Sequence, residues 1–250
     1  MPPPVLHMSL AKTIADGLRL AEIEADRGAY YLGSTAPDIR AVTRWERERT
    51  HFFDLNNFGH QDSVAAMFAA FPELADRAKV SAATASFLAG YITHLVLDEG
   101  WISEVYRPLF GERSVLAGSE RANVMDRVIQ FEMDRRQRED RETIEAMKAD
   151  IAATALEVTV GFIDIDTLRR WREVNLDFLR APPTWERFRN VASRHLSAYG
   201  VTEPEHLEAF MAEVPSILQE TVDHVGWDRV QAYLDGALAR ARDQLRGYLQ

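Results

Sequence analysis

Helical periodicity runs through almost the whole chain and leaves it little else to fold into. Apolar residues recur three or four positions apart at Leu10, Ile14, Leu18, Ala21 and Ala25, and again at Phe87, Leu88, Tyr91, Ile92, Leu95 and Val96. That spacing is one face of an α-helix. Glycine and proline number only 13 and 10 in 250 residues, so turn punctuation is scarce. No segment sustains the apolar–polar alternation of a strand, and there is no internal repeat. The pattern predicts an all-α protein. It is expected as one structural domain, with residues 1–110 as a helical core and 111–250 as a helical continuation packed on it.

The first helix is expected to start at Ser9 as N-cap and to end before Gly28. Tyr30 to Asp38 reads as an ordered loop, Arg40 to Arg49 as a short exposed helix or loop, and Phe52 to Gly59 as irregular chain. Helices are expected over Gln61–Phe71, from Ser81 through Tyr106 with Pro108 ending it, and from Ser119 to Val160. Further helices are expected over Asp166–Leu179, Thr184–Tyr199, Glu203–Val225 and Trp227–Leu249, with Pro182-Pro183 as a break and Pro215 as a kink. The run from Asp134 to Glu142 mixes both charge signs and reads as a solvated helix surface.

Composition narrows the chemistry. The chain has no cysteine, which excludes disulfide scaffolds, thiolate zinc fingers, iron–sulfur clusters and cysteine nucleophiles. Any transition metal must be held by His, Asp and Glu. Twenty-nine Lys and Arg against 39 Asp and Glu give a net charge of −10, so general affinity for nucleic acid or anionic membranes is not expected. Met1-Pro2-Pro3-Pro4 lacks the basic start of a signal peptide. No run approaches the roughly 18 uninterrupted apolar residues of a membrane span. The expectation is a soluble, cytoplasmic protein.

Of the seven histidines, His94 carries the most information. Asp98 lies four residues on, so both side chains share one helix face. The segment from Ala89 to Asp98 is otherwise almost uncharged. An imidazole and a carboxylate projecting from so apolar a helix lose their water, and burial without a partner is costly. A metal ion would satisfy both; so would a plain His–Asp hydrogen bond. Three other residues are each readable in two ways. Asp38, after Ala36-Pro37, is a helix N-cap or a ligand. His51, in Thr50-His51-Phe52-Phe53, is a packing residue or a ligand. His7 is an exposed terminal histidine or a ligand.

In order along the chain, His7, Ala36-Pro37-Asp38, His51-Phe52 and Phe87-Leu88-Ala89-Gly90-Tyr91 leading to His94-Leu95 and Asp98 resemble the bacterial zinc-dependent phospholipase C family. More distantly they resemble the secreted zinc-dependent single-strand nucleases of the same all-helical fold. The resemblance covers about the first 110 residues. It implies that Asp38, His51, His94 and Asp98 bind one zinc ion, that His7 binds a second, and that Asp98 bridges the two. With the departures below, a reduced site of one or two zinc ions is expected, and in the hydrolase reading Asp38 assists proton transfer. The sulfur-free donor set suits zinc or another divalent transition metal. A metal pair about 3.5–4 Å apart polarises a phosphoryl group and lowers the pKa of bound water toward about 7.

The sequence departs from the family at its further metal. Secreted members use a His six residues after the bridging Asp; here that position is Glu104. No His lies between His94 and His195, leaving Asp126, Glu132 and Asp134 as candidate carboxylate substitutes. Other motifs are weaker. Ser9-x-x-Lys12 stands without its companion motifs. Glu48-x-x-His51 and Glu203-x-x-His206 have the di-iron spacing, but Pro204 interrupts the second. His60 reads as a helix-start residue, and His195 and His224 as structural. Trp171, Phe178, Trp185, Phe188 and Trp227 fall at helical spacing and read as core rather than a ligand cage.

Two functions compete. The first is a metal-dependent hydrolase of a small phosphoester or lipid head group, with metal-activated water as nucleophile. The second is a metal-stabilised helical scaffold without turnover.

Overall fold

The computed structural model describes residues 3–186, 188–189 and 204–249. Every regular element among them is helical. The chain starts with α1 (Pro4–Leu18), α2 (Ala21–Ala25) and α3 (Arg27–Gly33). A 3₁₀ turn at Ala36–Ile39 leads to the short helices α4 (Arg40–Thr43) and α5 (Glu48–His51). After α6 (Ser63–Ala70) comes the long α7 (Ala82–Gly100), which runs through a π-helical segment, Trp101–Tyr106, into α8 (Arg107–Leu109). The second part comprises α9 (Glu120–Gln137), α10 (Arg141–Ala153), α11 (Ile165–Arg180), α12 (Pro204–Val225) and α13 (Trp227–Leu249).

The first helix starts earlier than Ser9. Proline is tolerated in a first helical turn, where its missing N–H has no partner to lose. Pro4 therefore opens α1 and Ser9 lies buried inside it. This shift brings His7 into the helix, fully buried rather than exposed at the terminus. Tyr30 to Gly33, expected as loop, are helical, with Asp26 capping α3 through the Ala29 N–H. The expected helix over Ser119–Val160 is two helices split at Arg138–Asp140, and it stops at Ala153. The expected helix Thr184–Tyr199 and His195 fall largely or wholly outside the described residues, as does Glu203. Pro215 lies within α12.

α3 and α7 cross at backbone contact, and glycine makes this possible. A Cβ on Gly90 would lie 1.9 Å from the Tyr30 carbonyl oxygen, and one on Gly33 would lie 1.9 Å from that of Phe87. α7 is the central element: α3 packs on it, as do α1, α6 and α13. The aromatic residues of the C-terminal half are packing residues, as their spacing predicts. Trp171 is fully buried and Phe188 nearly so, both in the hydrophobic cluster that extends from Val5 to Leu249, with Phe178, Trp185 and Trp227 partly buried against it.

Arg136 and the stretch Glu139 to Glu142 are exposed as expected of the charged run, but two of its residues are buried. Asp134 and Arg138 are buried and paired at 2.7 Å. Asp134 also accepts the Leu6 N–H at 3.0 Å, and Arg138 donates to the Phe178 carbonyl at 2.5 Å. The pair ties the start of α1 and the end of α11 to α9. Burial of two charges is tolerated because each satisfies the other and a backbone group as well.

Candidate metal centre

His7 from α1, Asp38 from the 3₁₀ turn, His51 from α5, and His94 and Asp98 from α7 converge at one place. Two overlapping groups, His7–His94–Asp98 and Asp38–His51–His94, have donor atoms all within 4.8 Å of one another. Residues 13 to 91 positions apart in the chain must therefore be brought into register by separate anchors. The Gly33–Gly90 crossing sets Ser34 against His94, whose Nδ1 donates to the Ser34 carbonyl at 2.9 Å. Thr50 Oγ1 donates to the Pro37 carbonyl at 2.8 Å, holding α5 to the turn that carries Asp38. Tyr91 OH donates to the Thr50 carbonyl from α7. Trp171 Nε1, on α11, donates to Thr35 Oγ1 at 3.0 Å and steadies the same turn from the other side.

These contacts bear on the paired readings made from sequence. His94 is oriented by a backbone carbonyl rather than by Asp98, leaving Nε2 facing the cluster. Asp98 Oδ2 instead accepts from the Arg47 Nη2 group. Asp38 caps no helix: α4 begins without a side-chain cap. His51 ends α5, and the chain then turns through Phe52 in the left-handed region at φ 52°, a costly conformation for a bulky residue.

The cluster also holds several buried polar atoms without partners. His7 Nδ1 and Nε2, His51 Nε2, His94 Nε2 and Asp98 Oδ1 are buried without a hydrogen-bond partner among the described residues. Unpartnered buried polar atoms are rare and each is unfavourable; such atoms on four neighbouring side chains, His7, His51, His94 and Asp98, call for a common partner. His51 Nε2 lies 3.6 Å from Asp38 Oδ1 and 3.7 Å from Asp98 Oδ2. A tetrahedral zinc with bonds of about 2.0–2.1 Å has ligand–ligand edges of roughly 3.3 Å, so the His51–Asp38 pair sits within a few tenths of an ångström of the required spacing. The residues present fit zinc.

Protonation states agree. Burial, reinforced by the neighbouring His94, holds His7 well below its ordinary pKa. Burial likewise brings His94 down to about 4, against the upward pull of Asp38 and Asp98. Both rings are thus neutral at pH 7, the state a metal requires, and neutrality allows them to stack at 3.9 Å. Burial pushes Asp98 upward, but Arg47 and the imidazoles outweigh it and hold its carboxyl at about 2. Burial also works upward on Asp38, yet His51, His94 and His7 keep it well below the usual carboxylate range.

The candidates for a further metal are engaged elsewhere. Glu104 pairs with Arg240 at the surface. Asp126 accepts from Trp101 Nε1 at 2.9 Å and Gln130 Nε2 at 2.7 Å. Glu132 pairs with Arg135 and Arg136, and Asp134 serves α1 as described. His60 and His206 are exposed, His60 ahead of the Asp62 cap of α6 rather than at the helix start. Glu48 is exposed, away from any di-iron arrangement. His224 Nε2 lies 2.9 Å from the Leu109 carbonyl, a structural role as expected. A groove of about 890 Å³ between α6, α7 and α13 is lined by none of the five site residues.

Sequence reasoning missed Arg47. It stands in the charged stretch read as exposed, yet is 6% accessible. Nothing local separates it from Arg44 or Arg49, since its partner is 51 residues away.

The helical frame brings three imidazoles and two carboxylates together in two overlapping groups that could hold a metal ion. Residues 6–99 match the model of the family described as zinc dependent phospholipase C, the family that the order from His7 to Asp98 resembles. No curated protein and no solved structure matches the chain.

Proposed function

We propose that the protein is a zinc-dependent phosphoester hydrolase whose metal ligands are Asp38, His51, His94 and Asp98, with His7 beside them. The observation that carries this reading is the set of buried, unpartnered polar atoms on His7, His51, His94 and Asp98 in one cluster, within a segment that matches a metal-dependent phospholipase-like family. Bound zinc supplies Lewis-acid chemistry, polarising a phosphoryl oxygen and acidifying water. The chain's own residues do the rest. Asp38 is the most accessible of the five, with 14% of its side chain exposed, so substrate approaches from its side. Its ionised carboxylate can accept a hydrogen bond from an attacking water and orient it. His94 is locked by Ser34 in the tautomer that turns Nε2 inward.

The substrate class is a phosphoester or lipid head group. Within the same proposal, residues 1–110 form the metal-binding core and 111–250 support it, as the Trp171–Thr35 bond does. No described helix is long and apolar enough to cross a membrane.

One observation favours the scaffold reading: His7, His51, His94 and Asp98 are all at most 2% exposed, and structural metal sites are closed by protein ligands. Hydrolysis of bis(p-nitrophenyl) phosphate, measured with zinc, after chelation and after zinc is restored, separates the two. Zinc-dependent turnover lost in Asp38→Asn supports the hydrolase. Tight zinc binding without turnover on this or phospholipid substrates leaves the scaffold.

A further inference from the structure

The donors at the centre do not add up to two ions while Arg47 holds Asp98. His94 presents a single nitrogen inward, because Nδ1 is engaged by the Ser34 carbonyl. Both donor groups draw on His94, and an imidazole nitrogen has one lone pair to give. If that nitrogen serves the ion held with Asp38 and His51, a second ion is left with His7 and Asp98. Asp98 Oδ2, however, is occupied by the Arg47 guanidinium, with both side chains buried.

Charge points the same way. Asp38 and Asp98 contribute −2 and Arg47 +1, so with neutral imidazoles the centre stands at −1. One dication brings it to +1 and two bring it to +3. Water is largely excluded here, and unbalanced charge is far less favourable than in solvent. The carboxylates that would offset a second ion are absent from the cluster, since Glu104, Asp126, Glu132 and Asp134 have partners elsewhere.

We propose that Arg47 stands where a second cation would, occupying Asp98 Oδ2 and restricting the centre to one metal ion per chain. This rests on the assignment of Asp38, His51, His94 and Asp98 as ligands. Arg47 is then a positioning residue: it leaves Asp98 to ligate through Oδ1 and supplies a fixed positive charge beside the ion. Its planar fork suits a carboxylate that must be held in one orientation.

The test uses the full chain, stripped of metal and titrated with Zn²⁺, with bound metal counted by native mass spectrometry. A parallel Co²⁺ titration is followed by electron paramagnetic resonance, which distinguishes a coupled pair from isolated ions and so ignores adventitious surface binding. The wild type is expected to take one ion with an uncoupled Co²⁺ signal. Arg47→Met, and Arg47→Gln should the first fail to fold, are expected to take two, with a coupled signal. A coupled pair in the wild type overturns the proposal without any variant. One ion in the wild type and still one in a folded Arg47 variant overturns the role of Arg47 while leaving the ligand assignment intact. No uptake by the wild type defeats the ligand assignment itself and this proposal with it.

Discussion

Replacing Asp98 by Ala in the metal-free protein isolates the buried pair from the chemistry. The Arg47 and Asp98 side chains are 7% and 2% exposed, so the substitution leaves a guanidinium in the interior without its counter-charge. Breaking a buried pair from one side costs about 3–5 kcal/mol, a large share of the roughly 5–15 kcal/mol that holds a domain together. At about 2–4 °C per kcal/mol for a chain of this size, the melting temperature should fall by roughly 6–20 °C. Adding Arg47→Met should recover much of the loss, because an uncharged pair has no desolvated charge to balance, and the two substitutions in contact should be strongly non-additive. The assay is urea unfolding in excess chelator of the wild type, both single variants and the double variant. A loss below about 1 kcal/mol for Asp98→Ala, or additive losses in the double variant, would refute the pairing and the argument built on it.

Zinc affinity should fall by at least about tenfold more, 1.4 kcal/mol, in Asp98→Ala than in His7→Ala, by isothermal titration; equal losses would mean that Asp98 is no more central than His7. Gly90→Ala should destabilise by about 3 kcal/mol or more, since its Cβ would meet the Tyr30 carbonyl at 1.9 Å; a melting curve like the wild type's would contradict the close crossing. The metal-free protein should weaken as pH drops from about 6.5 to 4. His94 has a folded pKa of about 4, so the unfolded chain binds more protons in that window, and its share of stability, about 2 kcal/mol between pH 7 and 5, is present above the window and lost on acidification. Thermal melts at both pH values, with His94→Gln as control, check this; no difference between the two proteins would remove His94 as the cause.

The helical class and most of the site were open to inspection in the sequence, because both depend on local spacing. Periodicity reports which face of a segment is apolar, and His94 and Asp98 share a helix face by virtue of being four residues apart. The absence of cysteine alone restricted any transition metal to nitrogen and oxygen donors. His7, Asp38 and His51 were recoverable only as an ordered series resembling a family, since each alone fits an ordinary local role equally well. Tertiary structure decided what depends on partners distant in the chain. Whether Pro4 opens a helix depends on Asp134 meeting the Leu6 N–H across 128 residues. Whether His94 is oriented by Asp98 or by Ser34 depends on two glycines letting α3 and α7 touch. Arg47 looks like any surface arginine until the fold buries it against Asp98. A charge in a polar run carries no local sign of burial, because its desolvation is balanced only by the group that the fold brings to it.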